Sequence, residues 1–357
     1  MNLLLQKLTI VIFTYNRPKY LIQAINYWSR YNVKLLILDG SNIRLEKSYL
    51  NSKNIKYIFN QSGFYERLYS SINYIDTEFM ILGCDDEFYL PSALESCVKF
   101  LSKEKNFTSC GGRALGFKSI KNKILGTVQY SKFKDFCLDN DHSLERLKKH
   151  FYNYVPAHMY SVIRSSKWKM ICKHVFKKEF SFFAAMEMQI EFLVMVSGKS
   201  KIIPELMWIR NKEVAKIRGT SPSMTESMTM YKWWYDDYYQ KEKEEFLSIM
   251  NKASNELISE NNIIYRKNTV AEIFQIYIDS SIKHKFNKSL YKKFITFLPY
   301  QLKKFVKSLL PVTIININKN YKTFKEEVRL IESQGVYVNH KDLNVIISYL
   351  EKSKIKN

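Results

Sequence analysis

Cys84, Asp85, Asp86 and Glu87 follow one another at the end of an apolar run in EFMILGCDDEFYLP, residues 78–91. Three adjacent carboxylates at the mouth of a buried strand repel one another, so the segment calls for a positive counterpart. A carboxylate cluster in a loop suits a divalent cation that prefers oxygen ligands, Mg2+ or Mn2+. Such a cation can bridge a diphosphate and neutralise the charge that develops on a leaving group. The same residues also read as a solvated acidic turn, with Asp86 capping the helix that follows.

The elements around the cluster decide where it sits. LTIVIF (8–13) is a continuous β-branched run, as in a parallel strand buried on both faces. VKLLILDG (33–40), IKYIFN (55–60) and EFMIL (78–82) follow as further strands. Between them PKYLIQAINYWSR, opened by Pro18, and GFYERLYSSINYI (63–75) carry helical spacing; PSALESCVKFLSK (91–103) follows the fourth strand. Alternation at this spacing predicts a mostly parallel, doubly wound α/β sheet. Ligands bind such sheets beyond the carboxyl ends of the strands. Thr14, Tyr15, Asn16 and Arg17 after strand one, Asp39 after strand two and the acids after strand four all fall at that edge. No GxGxxG or GxxxxGK[ST] follows a strand, which argues against a dinucleotide cofactor and a P-loop.

The 357-residue chain carries 56 basic and 34 acidic side chains, a net charge of +22. Such an excess favours an anionic partner, although part of it accords with the general richness in Lys, Asn, Ile, Tyr and Phe. Nucleic-acid binding is one use of that charge, but no recognised module is present and none is expected. No run of about 18 apolar residues predicts a membrane span, and the N-terminus resembles a strand lead-in more than a signal peptide. Five scattered cysteines without a CxxC pair fit a reducing compartment. A cytoplasmic location follows as the expectation.

LTIVIFTYNRPKYL, then LLILDGSN, then TEFMILGCDDEFYLPSALE together resemble the N-terminal half of a GT-A-fold, family-2-like bacterial glycosyltransferase. AAMEMQIEFLVMVSGKSKIIPELMWIR resembles that family's acceptor-side segment, where a Glu-Asp pair opens a helix ending at a glycine before a strand. The likeness covers roughly residues 8–215 and rests on the order and spacing of motifs that are individually weak. It implies a GT-A catalytic domain over 1–225, with a nucleotide-binding half (1–110) and an acceptor half (111–225), followed by a basic, mainly helical region over 226–357.

The resemblance also implies roles. Thr14, Tyr15, Asn16 and Arg17 match the first nucleotide loop, Asp39 the acid that bonds a pyrimidine base, and Arg67 a helix residue reaching toward the nucleotide. Asp86 falls on the last acid of the D-x-D motif, with Asp85 or Glu87 completing a metal site. Glu187, counted back from Gly198, falls on the general base of inverting enzymes. Apolar neighbours would raise its pKa toward a useful value. Arg113 would face the sugar. His158 either lines the acceptor cleft or is a satisfied core histidine, and Arg210 and Arg218 flank a segment suited to closing over a diphosphate. Cys84 stands where the first acid of D-x-D belongs and Met186 where the first acid of the Glu-Asp pair belongs, so metal independence stays open.

The expected activity is transfer of a sugar from a nucleotide sugar to a glycan or lipid-linked acceptor in bacterial surface polysaccharide synthesis. A catalytically altered binding or scaffold subunit of the same fold is the alternative. From Ser280 to Phe324 the chain has no acidic residue, and Phe294, Leu298, Leu302, Phe305 and Leu309 recur at near-helical spacing among lysines. That stretch is either an amphipathic segment drawn to an anionic membrane or a helical cap on the catalytic domain.

Overall fold

The computed structural model describes residues 3–120, 123–212, 230–258, 263–281 and 322–354. Strands β1 (Leu8–Thr14), β2 (Lys34–Asp39), β3 (Ile55–Phe59) and β4 (Phe79–Cys84) lie parallel in the order β3-β2-β1-β4. Both faces of these strands are covered. Ile10, Ile12, Leu35, Ile37, Phe79 and Ile81 enter one hydrophobic core, while Val11, Leu36, Leu38, Met80 and Leu82 enter a second. Period-two alternation between two buried faces is why β1, β2 and β4 are apolar along most of their length, whereas β3, last in the strand order, carries the exposed Lys56.

Helices α1 (Pro18–Trp28), α2 (Phe64–Ser70) and α3 (Pro91–Lys103) supply the crossovers. Pro18 and Pro91 open α1 and α3, positions where a missing N–H costs nothing. The register pairs Thr14 with Asp39 and Phe13 with Cys84, so all three motif-bearing strands end level at one edge of the sheet.

The expected helix over 63–75 is shorter in the structure. It ends at Ser70 and continues as a 3-10 turn over Ser71–Asn73. Ser70 turns its hydroxyl back on the Arg67 carbonyl at 2.7 Å, a local bond that competes with the helical ladder.

The second half extends the sheet. A short β5 (Phe88–Tyr89) precedes α3, and a long hairpin follows it: β6 (Phe107–Ile120) and β7 (Lys123–Gln129). Then come β8 (Cys137–Leu138), α4 (Ser143–Tyr152), β9 (Val162–Arg164), α5 (Ser165–Val175), α6 (Ala185–Ser197) and β10 (Lys199–Asn211). β9 runs antiparallel between β4 and β6, and β10 lies parallel to β6 while pairing antiparallel with β5 and β8. Gly198 ends α6, where a Cβ would stand 2.3 Å from Thr108 Oγ1.

Beyond residue 230 the described residues divide between the two cores. α7 (Met230–Tyr235), α8 (Gln240–Leu257) and α9 (267–281) bury Trp233, Phe246, Met250 and Phe274 against α5 and α6 in the second core. β11 (Lys322–Thr323), α10 (Phe324–Ser333) and α11 (His340–Lys354) return to the first core with Phe324, Ile331, Leu343 and Ile346. There Tyr349 stands 5.7 Å edge-on to Tyr27, and Asp342 accepts from the Ser92 N–H at 2.8 Å. The closing segment, Arg218 and the apolar–lysine stretch at 294–309 lie outside the described residues. Among the described residues, no helix is long and apolar enough to cross a membrane.

Candidate active site

The opening turn after β1 is tied to the one after β2. Asn16 takes a left-handed backbone (φ 52°), which asparagine tolerates better than most residues. Its N–H donates to Ser41 Oγ at 2.8 Å and its side-chain oxygen accepts from the Asn42 N–H at 2.9 Å. Asp39 is buried and accepts from the Tyr57 hydroxyl at 2.6 Å and the Ser41 N–H at 2.8 Å. The Arg67 guanidinium from α2 lies flat over Gly40, where a Cβ would come within 2.1 Å of it. Burial pulls the Arg67 pKa down against the opposing pull of Asp39 and Tyr15. Among the described residues, its Nε has no hydrogen-bond partner.

The counterpart demanded by the three acids is arginine. Arg17 forks across two of them, 2.8 Å from Asp85 and 2.5 Å from Asp86, a bidentate use for which its planar head is shaped. Thr14 Oγ1 adds a 2.6 Å bond to Asp85. Glu87 accepts from Trp208 Nε1 at 2.8 Å and stands 3.5 Å from Arg210. Burial nevertheless dominates. It pushes Asp85 up to about 7 despite Arg17, and Glu87 up to about 8 despite Arg210.

Asp86 is the most open of the three. Its Oδ2 is held by Arg17 and, at 3.2 Å, by Asn211 Nδ2. Asp86, Glu87 and Cys84 bring potential ligand atoms within 4.8 Å of one another. Two carboxylates fit Mg2+ or Mn2+, which bind through one or two acids plus substrate phosphates. The thiol is a poor partner for a hard cation, and burial holds it protonated well above its usual range. The residues present therefore fit a metal that leans on Asp86 first, with Glu87 already engaged by Trp208.

Trp208 of β10 joins this cluster to Tyr160. Its ring stacks on Tyr160 at 4.4 Å and on Tyr130 at 5.7 Å, with the Arg210 head 5.1 Å above it. Tyr160 feels the charges of both Glu87 and Glu187. Glu187, in the first turn of α6, accepts from the Tyr154 hydroxyl at 2.7 Å; burial pushes it up to about 7. A carboxyl with that affinity, facing the same aromatic wall as the acid cluster, can take a proton at neutral pH.

One helical turn further, Glu191 is wholly buried. One oxygen accepts from the His158 and Met159 N–H groups at 2.8 and 2.9 Å, and the other meets His150 at 3.0 Å and His158. His158 is buried, 0% exposed, and among the described residues its Nε2 has no hydrogen-bond partner. Its bond to Glu191 pins the loop carrying Tyr160 to the helix carrying Glu187. Arg113 on β6 is buried, and among the described residues it makes no hydrogen bond or ion pair; burial lowers its pKa. Trp208, Asn211, Tyr57, Tyr154 and Glu191 were not singled out from sequence. Only WIRN, following the glycine-ended helix, hinted at the first two.

No protein-family model and no curated protein matches the sequence. Among solved structures, S. aureus TarS 1–349 in complex with UDP-GlcNAc aligns at a TM-score of 0.50 and 12% identity, covering 82% of this chain and 76% of that one. The same TarS fragment alone, and in complex with UDP, aligns over the same shares at TM-scores of 0.48, with 12% and 14% identity. At these identities the likeness is one of fold: the chain has the GT-A-type architecture that its strand and loop order implied.

Proposed function

We propose that the chain is an inverting glycosyltransferase that moves a sugar from a nucleotide diphosphate sugar to a glycan or lipid-linked acceptor. The carrying observation is the convergence of Asp39 and Arg67, the Arg17–Asp85–Asp86 cluster and Glu187 around one strand-end edge. In this reading Asp39 and the Thr14–Arg17 turn receive the nucleotide, and Arg67 and Arg113 lie toward the diphosphate and sugar. Mg2+ or Mn2+ held by Asp86 and Glu87 would neutralise the diphosphate. Arg17 and Arg210 sit on the same carboxylates and set how much charge is left for it.

Glu187 takes the proton of the acceptor hydroxyl. The acceptor oxygen bonds to the anomeric carbon, the bond from that carbon to the diphosphate oxygen breaks, and the electron pair leaves with the nucleotide diphosphate. Tyr154 orients the carboxylate, and its hydrogen bond moderates a pKa that burial alone would carry higher. The UDP-GlcNAc complex of TarS supports a uridine nucleotide as the first donor to try. The acceptor belongs to a surface polysaccharide assembled at the cytoplasmic face of an anionic membrane, a reading supported by the charge of +22 and the acid-free stretch from Ser280 to Phe324.

Release of UDP from a panel of UDP-sugars, with and without surface glycan, tests this. Glu187→Gln should lose about 10²–10⁴-fold in turnover, the usual worth of a general base, while still binding UDP. Equal turnover by the variant would remove Glu187 from the mechanism.

A further inference from the structure

A cavity of about 270 Å³ is lined by none of the residues used in the reaction above. It is lined by Lys132, Lys134, Asp135, Lys149, His150 and the Phe136–Leu138 segment. Its lining thus carries three lysines and one carboxylate. Among the described residues, none of the three lysines forms an ion pair. Lys132 and Lys149 spend a hydrogen bond on main-chain carbonyls, those of Tyr154 at 3.4 Å and Cys137 at 3.3 Å. The buried polar residue of the wall is His150, 1% exposed. Its Nε2 is committed to Glu191, and among the described residues its Nδ1 has no hydrogen-bond partner. Clustered unpaired ammonium groups repel one another, and an anion held between them relieves that repulsion.

We infer that this cavity binds a phosphate group carried by the acceptor. The inference rests on the glycosyltransferase reading for the word acceptor, but not for the phosphate. Position ties the cavity to the chemistry. Tyr154 receives Lys132 on its carbonyl and gives its hydroxyl to Glu187 at 2.7 Å, so one residue separates the anion from the proposed base. A phosphate held there would bring an acceptor hydroxyl on the adjoining unit toward Glu187. A tetrahedral anion offers oxygens to several ammonium groups at once, and lysine binds phosphate as a point charge without needing a fixed fork. The exposed lysines leave the rim open to an ester chain.

The test titrates the full chain, first saturated with UDP, with inorganic phosphate, methyl phosphate and acetate by calorimetry. Both phosphates should bind in the presence of UDP, and acetate at least tenfold more weakly. Lys132→Ala/Lys149→Ala should weaken both phosphates at least tenfold. Phosphate binding that UDP abolishes, or that the double variant leaves unchanged, overturns the site. Acetate binding as well as phosphate overturns the ligand class. Inorganic phosphate binding without methyl phosphate overturns the link to an acceptor. A chain that binds no UDP at all fails the donor reading instead, and the phosphate titration of that chain still decides the cavity.

Discussion

Asp85 and Glu87 carry the clearest consequence at the scale of single residues. Folded, they release their protons near 7 and 8, whereas an unfolded carboxyl does so near about 4. Between these limits the folded state binds more protons, so stability falls as pH rises from about 4 to about 8 and levels off above that. The double variant Asp85→Asn/Glu87→Gln should therefore lose much less stability between pH 5 and pH 8 than the wild type, measured by urea unfolding at each pH. Parallel curves for the two proteins would contradict the burial cost assigned to these acids. The acids, the Thr14–Arg17 turn and Asp39 were legible in the sequence because each directly follows an apolar strand. Which cation answers which carboxylate was not, since Arg17 and Arg210 reach Asp85, Asp86 and Glu87 from distant points in the chain.

Element by element, the parallel strands and the helices opened by proline declare themselves through burial on two faces and a missing N–H. The β6–β7 hairpin does not. Its run is interrupted by CGGR and by lysines at Lys118, Lys121 and Lys123, which mask the two-residue period. Helix α2 shows how tightly an element and its loop are fitted: the Arg67 head occupies the space a side chain at Gly40 would need. Gly40→Ala should displace that guanidinium, cost about 1–3 kcal/mol as overpacking does, and weaken nucleotide binding at least severalfold. Denaturant unfolding and a UDP titration check both parts. An alanine variant as stable and as tight as wild type would show that the stacking of Arg67 on the turn is incidental.

For the whole molecule, the resemblance in the first 215 residues led to the correct fold, yet it said nothing of how the C-terminal region is used. Phe324, Val328, Ile331, Leu343, Ile346 and Leu350 belong to the first core, with α10 packed on β7 and β6. A fully buried side chain of this kind contributes about 1.5–3 kcal/mol, so together they rival the ~5–15 kcal/mol that holds a typical domain folded. A chain truncated after residue 321 should fail to give a cooperative thermal transition, although every motif of the candidate site is retained; a wild-type-like transition would contradict this. At the same scale the central claim is that strand ends, acid cluster and β10 form a single nucleotide diphosphate site. Calorimetric titration with UDP and Mn2+ tests it most directly. Wild type should bind, and both EDTA and Asp86→Asn should weaken binding at least tenfold with the circular dichroism spectrum unchanged; absence of binding by UDP and by every other nucleotide diphosphate, with metal present and the protein folded, would contradict the account.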